Sequence, residues 1–210
     1  RFDLDAAIIF SDILMVPFSL GQTVVFAKNL GPKLSIFDLG NFTKNNLKNF
    51  TQTLIPVYEA IKITRKNLDK NKSLISFVGA PWTLIVYMFG LKTNKNQIDL
   101  NKLQLHKEEI ESVLKKLVEY LCVHITNQVK AGADVVQIFD SWAGIIPNKK
   151  LYNYCYEPTK QIVEHCKKEK IPTICFPRGI QDNYVNFAKA VNPDCLSLDY
   201  EIDPLWAKDN

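Results

Sequence analysis

Five short apolar runs, spaced by helix-length amphipathic stretches, constrain this chain more than any other feature. The runs cover residues 6–10, 74–78, 135–139, 172–176 and 195–198, and the stretches 50–68, 107–131, 147–169 and 184–190 read as helices. The clearest helix is 107–131, where Ile110, Val113, Leu114, Leu117, Leu121 and Ile125 recur at three- and four-residue steps. Alternation of this kind predicts parallel strands, because a parallel pair needs a helix-length crossover. Gly132 after one helix and Pro147 at the start of another are fitting punctuation. The interval between the first two runs is too long for one helix. There, 23–26 alternates and Gly31-Pro32 follows, which predicts a short hairpin. Residues 90–101 are rich in lysine and asparagine and read as an exposed loop at the mouth of a barrel.

The strand ends repeat a pattern. Phe10-Ser11-Asp12 and Phe139-Asp140-Ser141 both close an apolar run with phenylalanine, an acid and a serine, and Leu198-Asp199 closes another with an acid. Parallel α/β folds place their chemistry at the carboxyl ends of their strands. An unpaired carboxylate there is costly unless a ligand or a partner receives it. For Asp12 the alternative is a helix cap. The dinucleotide and Walker glycine signatures are absent, which favours a (β/α)8 TIM barrel over a doubly wound sheet. Such barrels take about 250 residues, and five strands are legible, so the chain reads as one domain, residues 1–210, holding part of a barrel.

Composition narrows the function classes. The chain is 47% hydrophobic with a net charge of +4, and its lysines are spread along helices rather than clustered, which disfavours nucleic-acid binding. The five cysteines form no C-x-x-C pair and predict reduced thiols in the cytoplasm. His106, His124 and His165 show no metal-ligand spacing and read as surface or helix-packing residues. No run is long and apolar enough to span a bilayer.

Four stretches in register resemble the uroporphyrinogen decarboxylase family. They are Ile8-Ile9-Phe10-Ser11-Asp12-Ile13-Leu14, Gly79-Ala80-Pro81-Trp82-Thr83-Leu84 with Tyr87-Met88, Val136 to Gly144, and Leu198-Asp199-Tyr200. The resemblance implies a TIM barrel and a cofactor-free lyase of haem and chlorophyll biosynthesis, cytoplasmic and homodimeric when full length, with no metal. Such enzymes remove the four acetate carboxyl groups of uroporphyrinogen to give coproporphyrinogen. By resemblance Asp12 is the catalytic acid that accepts the pyrrole N–H groups and steadies the cationic intermediate. Tyr87 and Ser141 match substrate-binding positions. Read without the family, Tyr87 is a core tyrosine and Ser141 a helix cap.

The family's R-x-x-G-R run and its carboxyl-terminal histidine are missing, so the chain reads as an internal fragment, inactive alone. Arginine is scarce for a substrate bearing eight carboxylates: only Arg1, Arg65 and Arg178 occur. Arg65 reads as solvated, and Arg178 as exposed or facing a carboxylate. Two other functions remain open at this level: a zinc methyltransferase of the same superfamily acting on corrinoid or thiol, and a non-catalytic porphyrinogen-binding paralogue.

Overall fold

The computed structural model describes residues 3–27, 31–93, 95 and 97–209; Arg1 lies outside them. Seven strands are present among these residues: β1 (Ala6–Ile8), β2 (Val24–Ala27), β3 (Gly31–Leu34), β4 (Ser73–Gly79), β5 (Val135–Asp140), β6 (Thr173–Pro177) and β7 (Cys195–Leu196). β2 and β3 form the expected antiparallel hairpin. The other five build one sheet in the order β1-β4-β5-β6-β7, and every pairing in it is parallel. Each strand joins beside the one before it and the order never reverses. A doubly wound sheet must reverse, so this is an arc of a (β/α)8 barrel.

Strand parity decides what the two faces do. Leu74, Ser76 and Val78 of β4, Val136, Ile138 and Asp140 of β5, and Thr173 and Cys175 of β6 point outward and are buried beneath helices. Ile75, Phe77, Gln137, Phe139, Ile174 and Phe176 point inward and are only half-buried. Rings cross this inner face strand by strand. Phe10 lies 5.6 Å from Phe77, Phe77 5.4 Å from Phe139, and Phe139 6.0 Å from Phe176, centroid to centroid.

The largest helix, Lys107–Lys130, buries the expected stripe against the sheet. Glu108 and Glu109 stand at its amino end and Lys130 at its carboxyl end, each favourable to the helix dipole. Two expected helices differ. The helix foreseen at 50–68 is broken into Leu47–Thr53 and Ile55–Asn67, because Pro56 has no amide proton to continue the first ladder and instead opens the second. The one foreseen at 147–169 runs as Asn148–Leu151, a π turn at Tyr152–Tyr156, and Glu157–Lys168. Pro158, another missing donor, stands two residues past the widened turn.

Aspartates seal the amino ends of the strands. Asp134 Oδ2 accepts the Leu74 N–H at 2.7 Å, and Asp194 Oδ2 accepts the N–H and hydroxyl of Thr173 at 2.9 and 2.8 Å. These bonds hold the Asp194 carboxyl below the usual range. Arg65 is not solvated. Its guanidinium donates to Asp134 Oδ2 (2.9 Å) and to the carbonyls of Lys72, Leu68 and Asp69 (3.0, 3.2 and 2.8 Å). Its stem fills the space beside Gly132, where a Cβ would stand 2.8 Å away.

Candidate functional site

At the carboxyl ends of β1, β4 and β5 the inner face opens into a cavity of about 430 Å³. Ile8, Phe10, Phe77 and Phe139 form its apolar walls, and Asp12 and Ser141 supply its polar groups. Parity places both. Asp12 follows Phe10 by two residues and Ser141 follows Phe139 by two, so each returns to the face of its phenylalanine. Gly79 brings the Asp12 segment close, since a Cβ there would meet Ile13 at 3.1 Å.

Asp12 is half-buried and half-engaged. Its Oδ1 accepts the Leu14 N–H at 2.9 Å, ahead of the helix Met15–Ser19. This bond is a two-residue turn and not a helix cap, since the helix is capped from Leu14 with no side-chain bond. Oδ2 has no hydrogen-bond partner among the described residues and is left to accept from a ligand. Ser141 does not cap: the short 3-10 helix Ala143–Ile145 begins from Trp142 with no side-chain cap bond.

Tyr87 is not on this cavity. It sits near the end of the helix Pro81–Met88 and lines a neighbouring one of about 330 Å³, with Lys102, His106 and Glu109. Trp142 is the link, its ring 6.4 Å from Tyr87 and its residue directly after Ser141. The structure thus joins Asp12 to Ser141 and leaves Tyr87 one aromatic ring away.

A buried network fixes the backbone that carries that ring. Trp142 N–H donates to Thr83 Oγ1 at 3.2 Å, and Thr83 passes its own proton to Asp140 Oδ1 at 2.7 Å. The Trp142 carbonyl accepts from Trp82 Nε1 at 3.0 Å. Asp140, only 3% exposed, faces the helices. Burial raises its carboxyl to about 6, against the lowering bonds from Thr83 and Cys155. Burial likewise pushes Cys122 up to about 11, Cys166 up to about 12, and Cys155 and Cys175 well above the ordinary thiol. Such thiols are packing groups rather than nucleophiles.

The other strand-end acid, Asp199, accepts from the Gly179 N–H and from Tyr184 Oη (2.9 Å), with Arg178 Nε 3.8 Å away. It is held by the segment that follows β6. Behind the sheet, Gln128 Nε2 donates to His124 Nε2 at 3.0 Å, and His124 Nδ1 meets Tyr58 Oη at 3.0 Å. Burial lowers His124 to about 3. Among the described residues no cluster of histidine, cysteine and carboxylates can hold a metal ion, and no helix is long and apolar enough to cross a membrane.

A family model described as "Uroporphyrinogen decarboxylase (URO-D)" matches residues 1–210. The chain belongs to that family. A protein named uroporphyrinogen decarboxylase from Jannaschia sp. (strain CCS1) is 38% identical over all of this chain and 63% of its own length. One of the same name from Orientia tsutsugamushi (strain Ikeda) is 43% identical over 96% of this chain and 60% of its own. The chain thus spans about three-fifths of these relatives. Among solved structures, a methyltransferase from Methanosarcina mazei superposes with a TM-score of 0.66 over 93% of this chain and 64% of that one. At 15% identity this likeness concerns the fold, a barrel of parallel β/α units, and not the chemistry.

The inner phenylalanines Phe77 and Phe139 were not foreseen at the site. Strand parity, counted back from Ser141 to Phe139 and from Gly79 to Phe77, is the signal that finds them.

Proposed function

We propose that the full-length protein decarboxylates the four acetate side chains of uroporphyrinogen, giving coproporphyrinogen without a cofactor. One observation carries the reading: Asp12, in a segment matching the family's acid, faces a phenylalanine-walled cavity with one carboxylate oxygen unengaged. A puckered macrocycle directs its pyrrole N–H groups to its centre, and one carboxylate accepts from several of them. Protonation turns a pyrrole into an electron sink. The electron pair of the breaking carbon–carboxyl bond then moves into the ring as carbon dioxide leaves, and the methylene so formed takes a proton from solvent to become methyl while the ring gives back the proton it had gained. Apolar walls lower the local dielectric, so the Asp12 charge stabilises that transient cation more than it would in water. The Ser141 hydroxyl faces the same space, and we assign Tyr87, across Trp142, to a substrate side chain. On family grounds we also place the enzyme in the cytoplasm as a homodimer.

Asp12→Asn in the full-length protein tests this. Asparagine keeps the oxygen that accepts from Leu14 and loses only the charge. Uroporphyrinogen turnover falls about 10²- to 10³-fold. Turnover within a few-fold of the parent would show that the role given to Asp12 is wrong.

A further inference from the structure

Lys92 holds its Nζ 4.2 Å from the centroid of the Trp142 ring. The loop that carries it is closed by backbone bonds. Lys92 bridges Ile98, Thr93 N–H donates to Gln97 O at 2.9 Å, and Asp99 N–H donates to Leu91 O at 2.7 Å. Leu91 beside it is fully buried and anchors the turn. The ammonium is therefore carried by a loop with its own backbone bonds, and the backbone beneath the ring is held in turn, by Thr83 at the Trp142 amide and Trp82 at the Trp142 carbonyl. Ser141 lies one residue from that ring and Tyr87 stands at its edge.

Among the described residues no carboxylate lies within 4.0 Å of Lys92, whereas Arg65 is bonded to Asp134 and Arg178 Nε stands 3.8 Å from Asp199. An indole face attracts a cation through one or two of its N–H groups and does not neutralise its charge, so at least one donor stays available to an anion. A polycarboxylate brought to Asp12 is repelled by it, so a nearby cation is needed to offset that repulsion.

We propose that Lys92 is a carboxylate-binding residue at the rim of this site, receiving one acetate or propionate carboxylate of the substrate across Trp142 from Tyr87. The inference rests on the uroporphyrinogen reading above, and its test separates the two. In the full-length protein, Lys92→Met and Lys92→Arg are compared with the parent for uroporphyrinogen turnover. Binding of uroporphyrin I, an octacarboxylate that cannot turn over, is followed by tryptophan quenching, and thermal unfolding reports on the fold. Lys92→Met raises KM and the uroporphyrin Kd about 3- to 10-fold and flattens their dependence on salt, and Lys92→Arg restores both. KM and Kd within twofold of the parent would overturn the inference and leave the proposed activity standing. A parent without turnover that binds uroporphyrin through Lys92 would overturn the activity and leave the inference standing. A parent that neither turns over nor binds would overturn both.

Discussion

His124 and Asp140 set opposing pH dependences on stability, and their opposition is measurable. Burial lowers His124 from 6.5 to about 3, so it stays neutral in the fold where the unfolded chain would take a proton. Its contribution is complete above pH 6.5 and is lost as pH falls from there towards about 3. Asp140 is raised from 3.8 to about 6, so it keeps a proton in the fold that the unfolded chain releases. Its contribution is complete below pH 3.8 and is lost as pH rises from there to about 6. Each pH unit carries about 1.4 kcal/mol for one proton. Between pH 6 and 3.8 the two slopes therefore have equal size and opposite sign, and their sum is near zero. Asp140→Asn leaves His124 unopposed. Relative to the parent, it should lose about 3 kcal/mol more on going from pH 6 to 3.8. His124→Gln should do the reverse and gain about 3 kcal/mol relative to the parent over the same interval. Urea unfolding at half-unit pH steps reads both, because carboxylates common to all three proteins cancel in the differences. If the Asp140→Asn curve runs parallel to the parent between pH 6 and 3.8, separated only by a constant, then Asp140 does not carry the proton assigned to it.

Three further substitutions probe the scaffold around the site. A Cβ at Gly144 would lie 2.6 Å from the Gly179 carbonyl oxygen, where the loops after β5 and β6 touch. Gly144→Ala should therefore cost about 1–3 kcal/mol in denaturant unfolding; an unaltered midpoint would mean that the loops part freely. Thr83→Val strips both the Trp142 amide and Asp140 Oδ1 of their buried partner. It should cost about 2–4 kcal/mol and alter Trp142 fluorescence, and an unchanged emission spectrum would count against the network. Arg65→Lys keeps the charge but loses the planar fork that reaches four acceptors. A loss of about 1–3 kcal/mol is expected, and a thermal midpoint within a degree of the parent would rule out the clamp.

Which parts of this fold the sequence revealed follows from the range of the forces involved. All five apolar runs became sheet strands, each within two residues of its expected ends, because a strand buried beneath helices must be apolar along its length. The hairpin was legible from Gly31-Pro32. Helices Leu39–Lys44, Leu100–Leu105 and Pro204–Asp209 were not, since six residues are too few to display a helical period. The last turn of the loop foreseen at 90–101 was lost to the second of these, opened by the Asp99 side chain accepting from Lys102 N–H at 3.0 Å. Long-range contacts stayed hidden. Nothing near Arg65 in sequence announces Asp134, and nothing near Lys92 announces Trp142.

The three strand-end acids look alike as text and serve different purposes in space, and a shift of one residue explains two of them. After Phe10 come serine and then acid; after Phe139 come acid and then serine. Both phenylalanines face inward, so the second residue after each returns to the cavity while the first turns away. Asp12 is thereby turned to the cavity, whereas Asp140 is driven beneath the helices, where Thr83 donates to it and burial raises its carboxyl to about 6. Exchanging the order at β5 would bury a serine and set a second carboxylate in the cavity opposite Asp12. Two like charges facing one apolar space raise each other's proton affinity, and the charge that the proposed chemistry needs on Asp12 would be diminished. One acid and one hydroxyl, supplied from the ends of β1 and β5 on either side of β4, is the pairing that spares Asp12 a like charge across the cavity.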